Sequence, residues 1–262
     1  MEVNFKEWKV NSGLTDFDFA RGFQTDYQTQ INQLKIKLEN RPQDEKLYWL
    51  ISQLYHKKGN LEKTIINLQN AIRLKDKLKY RKFLAQTYQL QGNYKQALAE
   101  IKAALQLDYT EPSLHYLAGE IELQLGEISQ ARYFLEKAVE YEPENTTYLE
   151  KLFWIYSNLA SRSDSYMLNR AQRIVKKLIK LKPKNEDYII YLGDIYFDKG
   201  ERIKAVKMYN KAIELAPNDT WPYIKLAQFY QKINNNDKAE ELYRYVLCLN
   251  VSLENQQRLT DF

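Results

Sequence analysis

Residues 186–219 read EDYIIYLGDIYFDKGERIKAVKMYNKAIELAPND. Small residues at Gly193, Ala205 and Ala212 alternate with large ones at Leu192, Tyr196 and Tyr209, the pattern that two closely crossed antiparallel helices joined at Gly200 require. The stretch reads as one helical hairpin. Leu226, Ala227, Tyr230, Ala239, Tyr243 and Val246 each lie 34 places beyond Leu192, Gly193, Tyr196, Ala205, Tyr209 and Ala212. A period of this length describes a unit that cannot bury its faces alone and must stack on its neighbours.

The period extends in both directions. Units are expected at 45–77, 78–111, 112–145, 146–185, 186–219 and 220–253, with turns at Gly59, Gly92, Gly126 and Gly200. The fourth is six residues too long, and the surplus falls on the small polar run Ala160–Ser165, where a longer loop inside the hairpin disturbs packing least. Residues 26–44 carry Tyr27, Ile31, Leu34 and Leu38 at helical spacing before Arg41 and Pro42, and read as an N-terminal capping helix or half repeat. Residues 1–25 hold Phe5, Trp8, Phe17, Phe19 and Phe23 with no clean period and read as an arm that packs on the first helices, occupies a groove or recruits a partner. Residues 254–262 are expected to cap the last hairpin.

These positions resemble the tetratricopeptide repeat family, whose motif places Leu-Gly-x-x-Tyr in the first helix, two alanines around an aromatic residue in the second, and a proline behind. Six units in phase over residues 45–253 carry the resemblance, and Pro143, Pro183 and Pro217 recur in one place. Thr64, Glu122 and Phe153 depart from it, replacing a small residue, a tyrosine and a glycine. The resemblance implies an all-α fold, a right-handed superhelical α-solenoid of antiparallel hairpins whose first helices line a concave groove for peptide segments of other proteins.

By phase, that groove would present Trp49, Gln53, Lys57, Lys82 and Gln86 from the first two units. The next two would add Tyr116, Glu120, Glu150, Trp154 and Asn158. Ile190, Asp194, Phe197, Asp198, Trp221 and Gln228 would complete it. Its lysines lie in the early units and its acids in the middle ones, which is expected to orient a ligand by charge, with Trp154, Phe197 and Trp221 as anchors. Some family members clamp the acidic tail of heat-shock chaperones; Gln53, Gln86 and Glu120 at the matching positions argue against that role.

Composition bounds the alternatives. With 44% hydrophobic and 28% charged residues, 8 Gly and 6 Pro, the chain should fold throughout. The net charge of +5 falls short of the dense basic footprint of a dedicated nucleic-acid binder. Cys248 is the single cysteine, read as a buried residue in a reducing cytoplasm, and neither a signal peptide nor a membrane-length apolar run is visible. His56 and His115 lie in different hairpins, away from any metal or nucleophile pattern, and His115 reads as packing. The expectation is a non-enzymatic cytoplasmic scaffold or assembly adaptor with a protein partner and no cofactor or metal. A second reading rests on the basic outer face of the 146–185 unit, Arg173, Lys176, Lys177 and Lys180, as a site for nucleic acid, anionic lipid or an acidic protein, with peripheral membrane association open to it.

Overall fold

The computed structural model describes residues 27–159 and 165–260, and within them every regular element is an α-helix. The N-terminal arm with its five aromatic residues, and Ala160–Asp164 of the expected insertion, lie outside the described residues. The chain divides into two compact units, residues 1–87 and 88–262.

In the first unit, α1 (Tyr27–Asn40) packs on α2 (Glu45–Lys57), which packs on α3 (Leu61–Leu74). Ile31 of α1 meets Ile51 and Tyr55 of α2, with Leu34, Leu38 and Leu54 around them. The first helix therefore buries one stripe, as the spacing of its apolar residues requires. Caps are built locally: the Asp44 side chain accepts from the Lys46 amide and Asn60 from the Lys63 amide. Thr64, in place of a small residue, is buried without a lost bond because its hydroxyl donates to the Asn60 carbonyl at 2.8 Å. The division between the units falls within α4 (Leu78–Leu90).

The second unit contains α5 (Tyr94–Leu107), α6 (Pro112–Gln124), α7 (Ile128–Tyr141), α8 (Thr146–Leu159) and α9 (Ser165–Leu181). It continues with α10 (Glu186–Asp198), α11 (Arg202–Leu215), α12 (Thr220–Lys232) and α13 (Asn236–Thr260). Hairpins form as α6/α7, α8/α9, α10/α11 and α12/α13, and each second helix also packs on the first helix of the next hairpin. Gly200 closes the α10/α11 turn with φ +77, a backbone region that L side chains resist; in the last hairpin Asn234 takes the same role with φ 61.

Within α10/α11, a Cβ on Gly193 would lie 2.8 Å from Cε1 of Tyr209, so the glycine is the space into which the tyrosine fits. Ala205, Ala212 and Tyr209 are buried with it, and Ile189, Ile190, Leu226 and Phe229 extend this core into the α12 hairpin. The unit around α8 solves the same problem differently. Phe153 stands where its neighbours have glycine, and it is buried by stacking on Tyr191 of α10 at 5.2 Å between ring centroids. Glu122, in place of a tyrosine, is buried 4.0 Å from Lys102, and burial raises its carboxyl pKa.

Three expectations are corrected. The surplus of the long hairpin is not all loop: α9 spans 17 residues where α7 and α11 span 14, and Ser165, Tyr166 and Met167 add a helical turn ahead of Leu168. The boundary expected at 253/254 lies inside α13, which runs unbroken through residue 260 because neither Gly nor Pro interrupts its sequence. Cys248 is exposed, since the buried stripe of α13 passes through Ala239 and Val246 instead. His115 is buried as packing, stacked on Tyr141 at 5.4 Å and edge-on to Tyr109 at 5.0 Å.

Gly193→Ala should force Tyr209 from its slot and destabilise the protein by about 1–3 kcal/mol, the usual range for overpacking. A lowered midpoint of thermal unfolding by circular dichroism checks this.

Candidate protein-interaction face

The first helices of residues 112–232, α6, α8, α10 and α12, present equivalent positions in register. Glu120, Trp154, Asp194 and Gln228 occupy one such position, and Lys151, Tyr191 and Lys225 occupy another in the following hairpins. The two positions face each other. Lys151 Nζ lies 3.1 Å from Glu120 Oε1, Tyr191 meets Trp154 edge-on at 5.2 Å, and Lys225 Nζ donates to Asp194 Oδ2 at 2.8 Å. A ladder of inter-hairpin contacts thus crosses the face, with an aromatic rung between two ionic ones.

A second row runs beside it. Tyr116 stacks on Tyr148 at 4.9 Å and donates its hydroxyl to Glu120 Oε1 at 2.9 Å. Glu150 accepts from the Tyr188 hydroxyl and lies 3.7 Å from Lys182. Three of the four acids expected to give this region its negative character, Glu120, Glu150 and Asp194, are therefore each matched with a lysine. Asp194 also accepts the Tyr209 hydroxyl on Oδ1 at 2.6 Å, which ties it to the hairpin core. Both of its oxygens are thus engaged within the protein, where the sequence left them without a packing duty.

Ile190 is a further correction. It is fully buried, packed with Leu226 and Phe229, because this side of α10 is covered by α12. Phe197 is half-buried, edge-on to Phe229 at 5.4 Å, with Lys232 Nζ 5.3 Å from its ring centre. Trp154 is 41% exposed and Trp221 40%, the latter with Lys225 Nζ 5.1 Å from its ring. Asn158 is exposed, and Asp198 and Gln228 are half-buried.

In the 1–87 unit, Trp49 is half-buried, 5.1 Å from Tyr80 and 5.3 Å from Phe83, and Lys79 Nζ lies 5.3 Å from its ring. Gln53, Lys82 and Gln86 are half-buried and Lys57 is exposed. His56 packs on Phe83 at 4.9 Å, and burial pushes its imidazole pKa down. On α9, Arg173, Lys176 and Lys180 are exposed and Lys177 half-buried, opposite buried Ala171, Val175 and Leu178.

Burial holds the phenols of Tyr116, Tyr188 and Tyr209 well above the usual range, and their carboxylate partners add to the effect. Tyr191 is pushed up to about 12, by burial first and then by Asp187, Glu150 and Asp194. Among the described residues no group of three or more His, Cys, Asp or Glu side chains is placed to hold a metal, and no helix is long and apolar enough to cross a membrane.

Lys151, Tyr191 and Lys225 were not singled out by the repeat motif, which compares equivalent positions rather than facing ones. A readable signal was present: both ionic rungs join residues 31 apart, Glu120 to Lys151 and Asp194 to Lys225.

Comparison with known proteins agrees with the repeat architecture. A tetratricopeptide repeat family profile matches residues 45–78, a TPR repeat profile residues 193–234, and the profile of anaphase-promoting complex (cyclosome) subunit 3 residues 66–138. An uncharacterized protein ycf37 of Pyropia yezoensis is 28% identical over 51% of this chain and 76% of its own length. A DnaJ homolog subfamily C member 7 homolog of Schizosaccharomyces pombe is 26% identical over 39% of this chain and only 20% of its own length. Among solved structures, YrrB, a TPR protein described as having an unusual peptide-binding site, has a TM-score of 0.59 at 22% identity over 72% of this chain and 95% of its own. The C-terminal part of a TPR repeat-containing protein from Cytophaga hutchinsonii reaches 0.70 at 16% identity over 85% and 90%. These structural likenesses establish the fold, an α-solenoid of antiparallel hairpins. The chain carries tetratricopeptide-type repeats, matched at residues 45–78 and 193–234. Its fold is in general that of a non-enzymatic protein-interaction scaffold.

Two outcomes follow from the ladder. Asp194→Ala leaves the buried Tyr209 hydroxyl without its acceptor and should cost about 1–3 kcal/mol of stability, measured by urea unfolding. Tyr191 has a folded pKa raised above its unfolded value of roughly 10, so its contribution is complete below about pH 10 and is lost as pH rises through about 12. Stability should fall with alkaline pH over that window, and Tyr191→Phe should make the fall shallower in melts taken at stepped pH.

Proposed function

We propose that the protein is a scaffold or assembly adaptor that holds a peptide segment of a partner protein in the groove lined by α6, α8, α10 and α12. The observation that carries this reading is Trp154. A ring 41% exposed at the middle of the ladder, braced edge-on by Tyr191 at 5.2 Å, offers apolar area that needs no reordering before contact. Trp221 and half-buried Phe197 lie on the following hairpins as further anchors.

The neighbouring ion pairs sharpen the type of ligand. Because Lys151 and Lys225 already neutralise Glu120 and Asp194, the face selects by shape and by aromatic contact more than by a negative field. A segment with an aromatic or aliphatic anchor flanked by polar residues suits it better than a strongly basic one. The DnaJ homolog resemblance is compatible with an adaptor role, and a cytoplasmic location accords with a chain that has a single cysteine.

A displayed library of random peptides, selected on the folded protein, should yield peptides whose affinity falls about tenfold or more with Trp154→Ala, the loss expected of an anchoring tryptophan. The variant should still fold, with a lowered melting temperature, because the covered part of the ring packs on Phe153 and Tyr191. Equal affinities for wild type and variant, or selected peptides that bind away from this face, would overturn the reading.

A further inference from the structure

The charge of the second helices is unevenly placed. α9 carries five basic side chains and no acid, and α11 carries four against the single Glu214, whereas α7 balances Arg132 and Lys137 against Glu136 and Glu140. The whole chain has an excess of only +5, so the rest of it is acidic on balance.

The two basic helices share one side of the 88–262 unit. Lys199, in the α10/α11 turn, donates to Asn169 Oδ1 and Gln172 Oε1 of α9, each at 2.8 Å, and lies 3.8 Å from Glu201 at the start of α11. Lys176 of α9 also acts on the Glu201 carboxylate. Ala171 and Ala205 are equivalent, so Arg173 is level with Lys207 and Lys177 with Lys211. Among the described residues, Arg173, Lys177, Lys180, Lys207 and Lys211 have neither an ion pair nor a side-chain hydrogen bond.

At the N-terminal ends of the same helices stand two outlying apolar groups. Ile203 is 89% exposed, the most exposed large hydrophobic residue of the described structure, and Tyr166 is 55% exposed. The side chains that α9 and α11 bury, such as Val175 and Tyr209, belong to the core, so this apolar pair is separate from the packing stripe. We propose that this face docks on an anionic lipid bilayer, with Ile203 and Tyr166 entering the interfacial zone and the lysine band lying over acidic headgroups.

The chemistry favours a bilayer over nucleic acid. Lysine supplies Lys176, Lys177, Lys180, Lys207 and Lys211, compact point charges suited to a diffuse negative surface, and the more exposed of the two apolar groups, Ile203, does not stack on bases. A bilayer accepts a protruding isoleucine without a preformed pocket. The proposal is independent of the peptide groove, which lies on the first helices, so either can fail alone.

Sedimentation with phosphatidylcholine vesicles, plain or containing about 30 mol% phosphatidylserine, tests it. Wild type should bind only the anionic vesicles, and less as salt rises from roughly 50 to 500 mM. The variant K176Q/K177Q/K207Q/K211Q should lose at least about a hundredfold in affinity, at some fivefold per lysine. The matching all-arginine variant, K176R/K177R/K207R/K211R, should keep binding. Ile203→Ser should lose about tenfold at every salt concentration. Unchanged circular dichroism melts establish that each variant folds. Equal binding to plain vesicles, wild-type binding by the Ile203 variant, or tighter binding of a labelled DNA duplex than of anionic vesicles would each overturn the proposal.

Discussion

The buried phenol of Tyr209 is the constraint from which much of the second unit follows. Its ring fills the space left by Gly193, so two helices cross closely, and the residue as a whole is only 2% exposed. A buried donor without an acceptor costs free energy, and Asp194 supplies the acceptor from the turn of α10 directly after the glycine. The carboxylate is drawn inward and needs a counter-charge, which Lys225 brings from the next hairpin. One tyrosine thus couples the crossing of a hairpin to its attachment to the following one.

The same coupling is met by different chemistry along the array. Where Asp194 and Lys225 form an ion pair, Trp154 and Tyr191 form an aromatic edge contact, and Glu120 and Lys151 form another ion pair. Partly exposed ion pairs add little stability and serve mainly to fix register. The aromatic rung buries more area but leaves part of the indole in solvent. Hence the hairpin that departs from the motif, with Phe153 in place of glycine, is also the one that leaves a braced ring partly exposed: Phe153 stacks on Tyr191, and Tyr191 in turn braces Trp154.

The fold was largely legible in the residues because hairpin packing depends on size alternation at fixed separations, and Gly193, Tyr209, Ala205 and Ala212 display it without reference to anything distant. The candidate face was legible in position but not in state. Ile190 belongs to no motif position and so looked free, yet α12 covers it; Asp194 looked like a recognition acid, yet both of its oxygens are engaged. These outcomes depend on contacts between facing positions, Ile190 with Leu226 and Phe229, and Asp194 with Tyr209 and Lys225, which a comparison of equivalent positions does not sample. Cys248 was misread for a related reason: Leu247 and Leu249 beside it suggest burial, but adjacent residues on a helix point in different directions, and Leu247 is itself exposed.

The hairpin of α8 and α9 shows how one unit can serve two surfaces. A helix can spend its apolar stripe on the core and still carry a second message on the opposite side, provided that side has no packing duty. In α9 the buried side chains Leu168, Ala171, Val175 and Leu178 satisfy the hairpin, and the outward positions are free to be uniformly cationic. In α8 the outward positions belong to the face where hairpins meet through Trp154 and Glu150, so charge there must be matched within the protein. The first helices therefore neutralise their charge while α9 and α11 accumulate it. That division follows from which helix faces touch a neighbour, and the two proposed modes of recognition, one by shape and one by charge, are separated by it.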